Sequence, residues 1–256
     1  MKVVILAGGQ QSTIDERAGI PKPMAEIGER PLLWHIMKQF SFYGYNDFII
    51  CGGYGINMIK DYFMDYYIYQ SDITVDLASN EITIHNRKTE SWRVTVVDTG
   101  LYSATGQRVS RVQPYIEEEN FLVTYGDCLS DINIQNLVEV HNQNDKIVTM
   151  AVAKPSGRNM IMDIHPDGRL AGMGNNTPEE NQAWVNACTF VFNSRIFRYL
   201  QGNYELDLKC FPELADQDQV MTSKHYGFWK AVETKRDKVN LENLWNAGMA
   251  PWKVWD

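Results

Sequence analysis

Three features of this chain are spaced for handling phosphate. Gly8 and Gly9 come directly after Val3-Val4-Ile5-Leu6, an apolar run that predicts a short strand buried on both faces. A strand running into glycines brings backbone N–H groups up to phosphate oxygens; a buried strand that needs only a tight exit carries the same residues. Lys22 stands between Pro21 and Pro23, which fix the backbone on either side and so hold the lysine in place. Asp127 follows a second apolar run, Phe121 to Tyr125, and Gly126. That places a carboxylate at the carboxyl edge of a sheet, where open α/β folds bind ligands, although an Asp there is as often a turn former.

The elements that must position these groups follow the same alternation. Leu32, Leu33, Ile36, Met37 and Phe40 make a helical stripe over 31–43, with Gly44 suited to cap it. Asp47 to Cys51 predicts a second buried strand, Ile56 to Tyr67 an amphipathic helix, and Trp92 to Asp98 a further buried strand. Between the last two, Ile73 to Leu77 and Glu81 to His85 alternate around Ala78-Ser79-Asn80, the pattern of a hairpin. Later segments read as a helix over 133–141, strands over 147–153 and 184–192, a helix from Ser194 and a helix over 236–247. Strand–helix alternation predicts an α/β fold: a Rossmann-like, mixed but mainly parallel sheet flanked by helices. No linker or repeat divides the chain, so 1–256 reads as a single domain with a hairpin insertion near 70–90 and a C-terminal extension over 236–256.

Composition narrows the classes. A formal charge of −8 argues against general nucleic-acid binding but not against a local cationic pocket for a nucleotide. Cys51, Cys128, Cys188 and Cys210 are widely spaced, with no zinc or disulfide pattern, and read as free thiols. The five histidines show no metal-ligand spacing. No apolar run approaches a signal peptide or a membrane span, so no membrane partner and a cytoplasmic location are expected. Trp252 and Trp255 near the end predict a tail that docks.

Taken together, LAGG, PKPM with EIG, RPLLWHIMK, NDFIICGGY, VTVVDTG, TYGD, GFW and PWKVWD resemble the sugar-phosphate nucleotidyltransferases over nearly the whole chain. Within them, the cytidylyltransferase branch that makes CDP-glucose is the nearest in pattern. The resemblance implies CTP and a sugar 1-phosphate, glucose 1-phosphate first, as partners, Mg²⁺ as cofactor, and a homo-oligomer. It implies catalytic roles for Lys22 and Asp127, and Mg²⁺ ligation by Asp127 and Glu233. Nucleotide contacts carry over to Leu6, Ala7, Gly8, Gly9, Lys22, Thr105, Gly106, Arg108 and Arg111, and acceptor contacts to Tyr125, Arg158 and Asn186.

The chain departs from that family where chemistry is concentrated. Gln11-Ser12-Thr13 replaces a Gly-Thr-Arg whose arginine grips the leaving pyrophosphate, and Arg17 is the nearest candidate substitute. Losing such a cation costs on the order of 10³-fold in rate. Gly174 to Pro178 lacks the lysine that meets the acceptor phosphate, Asn186-Ala187-Cys188 replaces Asn-Gly-Gly, Gln107 interrupts Thr-Gly-Gly-Arg, and Glu233 replaces an Asp. Three readings stay open: an active cytidylyltransferase, a paralogue that binds without turning over, and a transferase for another phosphorylated acceptor.

Overall fold

The computed structural model describes residues 1–9, 14, 19–85, 89–154 and 184–255, together with the backbone of 161–164 and 170–174. Strand β1 (Val3–Leu6) opens the chain, followed by the short strands β2 (Glu26–Ile27) and β3 (Arg30–Pro31), α1 (Leu32–Phe42), β4 (Asp47–Gly52), α2 (Ile56–Met64) and α3 (Tyr66–Tyr69). Next come β5 (Asp72–Asp76), β6 (Glu81–His85), β7 (Arg93–Asp98), α4 (Thr105–Arg111), β8 (Asn120–Tyr125), β9 (Cys128–Ser130), α5 (Ile134–Asn144) and β10 (Val148–Ala153). The chain then forms β11 (Ile161–Ile164), β12 (Leu170–Gly174), β13 (Val185–Asn193), α6 (Cys210–Asp216), β14 (Val220–His225), β15 (Trp229–Ala231) and α7 (Lys235–Asn246).

Seven strands make the central sheet in the order β14-β10-β13-β8-β1-β4-β7. β13 is antiparallel to its two neighbours and every other pair is parallel. The fold is therefore the mixed, mainly parallel α/β type that the alternation predicts. All four residues of β1 are buried, and they split between two cores. Val3 and Ile5 pack with Leu33 and Ile36 of α1 and Leu137 of α5; Val4 and Leu6 pack with Val109 of α4 and Phe211 and Leu214 of α6. Burial on both faces is what an unbroken apolar strand requires.

Helix α1 ends as its glycine predicts. Gly44 has φ +86°, its N–H donates to Ser41 O, and Tyr45 N–H donates to Phe40 O. That pair of bonds satisfies carbonyls left open at a helix end. The hairpin β5–β6 forms in the predicted place, with β5 exposed along its length. The C-terminal tail docks: Trp252 and Trp255 are buried against α1, and the Trp252 indole N–H donates to His35 Nδ1 at 3.4 Å. No described helix is long and apolar enough to cross a membrane.

Three elements differ from expectation. The helix predicted over 56–67 breaks at Asp65 into α2 and α3, and only Ile59 of α2 is fully buried. β7 is one of the sheet's two edge strands, so Val94 to Val97 are half-buried rather than buried. Ser194–Arg198 winds as a 3₁₀ segment instead of an α-helix. Short helices α4 and α6 were not visible in the pattern.

Candidate active site

The carboxyl ends of β1 and β8 lie side by side, with Leu6 paired to Tyr125. Just beyond them the chain opens a cavity of about 330 Å³. It is lined by Leu6 to Gly9, Tyr125 to Asp127, Pro21-Lys22-Pro23 and Thr105. Gly126 fits because a Cβ there would press on Pro23 and the Leu6 carbonyl, at 3.0 and 3.1 Å.

Lys22 opens a 3₁₀ turn behind Pro21. Its ammonium lies 2.9 Å from Asp127 Oδ2, and both side chains remain about one-third exposed, so the pair can still meet a ligand. The other carboxylate oxygen, Oδ1, accepts from the Cys128 thiol at 3.6 Å. A hydrogen bond with Cys188, burial and the neighbouring Asp127 push that thiol's pKa well up, so it stays a donor. Glu233 reaches the same neighbourhood through the backbone. β15 pairs with β9, and Val232 N–H donates to Asp127 O at 2.8 Å, which leaves Glu233 exposed one residue further on. Glu233 does not line the cavity.

Thr105 begins α4, and Glu205 clasps it: Glu205 Oε2 accepts from Thr105 N–H at 3.1 Å and from its hydroxyl at 2.6 Å. Gly106 packs on the Tyr204 carbonyl, which a Cβ would meet at 2.8 Å, so it serves the docking of this loop rather than the cavity wall. The docked loop delivers Asp207. Its carboxylate accepts from the Tyr125 hydroxyl at 3.2 Å and from the Asn186 amide at 2.9 Å. Burial, then the charge of Asp207, raises the pKa of Tyr125, so its phenol stays a donor. Asn186 Oδ1 in turn accepts from Cys188 N–H at 2.8 Å.

Arg108 and Arg111 hold the chain's own backbone. Arg108 is buried and donates to Gly52 O, Thr99 Oγ1, Gly100 O and Leu101 O over 2.8–3.3 Å. Burial lowers its pKa. Its guanidinium lies directly behind Gly8, where any Cβ would overlap it. Arg111 donates to Thr99 O at 2.6 Å and Ser103 Oγ at 3.0 Å. Neither lines the cavity. Of the remaining expected residues, Arg17, Arg158, the 10–13 loop segment and 175–178 lie outside the described residues.

Against this geometry, the family model for nucleotidyl transferases matches residues 2–251. The chain belongs to that family. It is 40% identical over 259 residues to the glucose-1-phosphate cytidylyltransferase of Salmonella typhimurium, with 100% of each chain covered. It is 34% identical over 258 residues to the probable glucose-1-phosphate cytidylyltransferase of Bacillus subtilis, again with 100% of each covered. Among solved structures, HddC from Yersinia pseudotuberculosis complexed with GMP-PN superposes with a TM-score of 0.66 at 18% identity, covering 95% of this chain and 99% of that one. The inositol-1-phosphate CTP transferase of T. maritima gives 0.65 at 13% identity, covering 99% and 96%. These two likenesses establish a shared nucleotidyltransferase fold.

The residues that sequence reasoning missed are Asp207 and Glu205. Neither sits in a glycine-rich or strand-end setting, and both reach the site only because the loop carrying them docks on α4.

Proposed function

We propose that the protein transfers the cytidylyl group of CTP to a sugar 1-phosphate, glucose 1-phosphate in the first place, yielding CDP-glucose and pyrophosphate. The observation that carries this reading is the Lys22–Asp127 pair at the mouth of the Gly8-Gly9 loop. It is supported by identity of 40% to a glucose-1-phosphate cytidylyltransferase over the full chain.

An acceptor phosphate is already a nucleophile, so the protein's task is to hold two polyanions in line. An acceptor phosphate oxygen bonds to the α-phosphorus while the bond to the bridging oxygen breaks, and pyrophosphate leaves with that electron pair. The N–H groups after β1 take the nucleotide phosphates, and Lys22 shares its charge between Asp127 and those oxygens. Thr105 also lines the cavity. Tyr125, Asn186 and Asp207 offer hydroxyl, amide and carboxylate to the acceptor's hydroxyl groups.

Asp127 and Glu233 would hold Mg²⁺, a cation that takes one or two carboxylates and completes its shell with waters and substrate phosphates. The donor types fit: Asp127 offers a carboxylate to the cavity, and the Val232–Asp127 backbone hydrogen bond holds the exposed Glu233 on the adjoining strand. When bound, the ion neutralises charge on the reacting phosphates. Assembly into a homo-oligomer belongs to the same reading. A lone two-stranded hairpin is marginal in water, and β5–β6 leaves Val75, Leu77 and Ile82 exposed.

The test is pyrophosphate release with Mg²⁺, CTP and glucose 1-phosphate, beside a calorimetric titration of CTP. Turnover that Asp127→Ala lowers by roughly 10²-fold or more is expected. Binding of CTP with no pyrophosphate from any sugar 1-phosphate would assign the chain to the non-catalytic reading, which the missing loop arginine favours.

A further inference from the structure

Glu233 sits at a corner where successive backbone N–H groups are all engaged. β15 runs antiparallel to β9, with Trp229 opposite Ser130 and Ala231 opposite Cys128. Just beyond these pairs, the buried Val232 donates its N–H to Asp127 O at 2.8 Å. The next two N–H groups turn to a different acceptor, the carboxylate of Asp237 in the first turn of α7. Glu233 N–H donates to its Oδ2 at 3.2 Å and Thr234 N–H donates at 2.9 Å. The Thr234 hydroxyl donates to the same oxygen at 2.8 Å and accepts from Asp237 N–H at 3.1 Å. Oδ1 is taken by Lys230 Nζ of β15 at 2.7 Å, and only 14% of the Asp237 side chain is exposed. One carboxylate therefore ties the strand, the corner and the start of the helix together.

A helix cap needs less than this. The capping box of α7 consists of the reciprocal bonds between Thr234 and Asp237. The bonds from Glu233 N–H and Lys230 are additional, and they reach back past the cap to the residue before it and to the strand. Their effect falls on Glu233, whose own N–H and those of both neighbours are held. Its carboxylate, by contrast, is exposed and has no hydrogen bond or ion pair among the described residues. Mg²⁺ demands near-ideal octahedral geometry. A glutamate has one more rotatable bond than an aspartate, so its carboxylate is placed only as well as the backbone beneath it is fixed.

We infer that Asp237, braced by Lys230, is a positioning residue for Glu233: it fixes the corner so that the Glu233 carboxylate stands free beside Asp127 for a divalent cation. This inference rests on the reading of Asp127 and Glu233 as metal ligands and adds to it the group that sets the second carboxylate in place. Partners one layer out from a metal ligand typically contribute 10–100-fold to metal affinity. Acting through the backbone, Asp237 belongs at the lower end of that range, about tenfold.

The probe is Mn²⁺ alone, a paramagnetic ion that takes the same oxygen ligands as Mg²⁺, titrated into the full-length protein while electron paramagnetic resonance reads the unbound ion. Glu233→Gln lowers Mn²⁺ affinity about tenfold or more, and Asp237→Ala lowers it about tenfold. Asp237→Asn, which keeps an oxygen for the corner N–H groups, retains most of the affinity. The double variant Glu233→Gln, Asp237→Ala is no weaker than Glu233→Gln alone, because the two residues act on one bond to the metal. Asn133→Ala, which removes the N-cap of α5, lowers the urea midpoint but leaves Mn²⁺ affinity intact, so loss of a helix cap does not imitate the effect. Should Asp237→Ala fail to fold, Lys230→Met removes the Oδ1 partner alone and is expected to cost several-fold in affinity. Wild-type affinity in Asp237→Ala beside a loss in Glu233→Gln overturns the positioning role and leaves the metal reading standing. Additive losses in the double variant also overturn it. Wild-type affinity in Glu233→Gln, or no uptake of Mn²⁺ by the wild type, overturns the metal reading and the positioning role together, and pyrophosphate release still decides the transfer reading.

Discussion

Replacing Gly8 by alanine separates the two things its position does. An added Cβ would overlap Nη1 and Cζ of Arg108. That guanidinium has little freedom to withdraw, because Nη1 alone donates to Gly52 O, Thr99 Oγ1 and Gly100 O at 3.1, 2.8 and 2.9 Å. If Arg108 yields, at least two of those bonds go. At about 1.5 kcal/mol for each bond to a charged group, the loss of stability is about 3 kcal/mol. If the loop yields instead, stability is kept and the N–H groups of 8–9 lift away from their phosphate-facing position, so CTP affinity falls about tenfold or more. Gly9→Ala is the internal control, since nothing lies within 4 Å of a Cβ there and stability should change by less than about 1 kcal/mol. Urea denaturation and CTP titration of both variants read the outcome. Gly8→Ala with wild-type stability and wild-type CTP affinity would refute the assignment of Arg108 as a strut behind the loop.

Two further outcomes follow from the geometry. Burial lowers the pKa of His35 from 6.5 to about 4, while its Nε2–H donates to Ile27 O at 2.8 Å. Below pH 6.5 the unfolded chain binds the proton first, so His35's contribution is complete above that pH and is lost as the pH falls towards 4, by about 3 kcal/mol in all. Urea midpoints of wild type and His35→Gln, compared between pH 7 and pH 4.5, should converge on acidification; parallel curves would show that His35 is not held neutral. Asp207→Ala removes the acceptor of both the Tyr125 and Asn186 hydrogen bonds and should raise the KM for the sugar phosphate several-fold, with the KM for CTP nearly unaltered. Equal rises in both would place Asp207 outside the acceptor side.

The framework was legible wherever burial imposes a pattern. β1 must be apolar throughout because helices cover both faces, and α1 must end near Gly44 because the chain turns there with φ +86°. The elements misread are those whose environment is one-sided or short. β7 carries the residues of a buried strand but lies at the sheet edge, and α4 has too few residues, two of them arginines, for a stripe to show. Asp65 breaks the predicted helix although nothing apolar changes period there.

The same division runs through the site. Lys22 and Asp127 were readable because local covalent structure positions them: prolines flank the one, and a strand end and Gly126 precede the other. Arg108 was not, because a guanidinium goes where acceptors are, and its acceptors are carbonyls gathered from β4 and the end of β7 by the crossing of α4. An arginine aimed at a phosphate and one aimed at a carbonyl cage have the same neighbours in sequence. The acceptor side is harder still. Asp207 reaches Tyr125 only through a loop clamped by Thr105 and Glu205. Specificity built from such docking leaves no local trace, so a changed acceptor can sit on an otherwise recognisable nucleotide site.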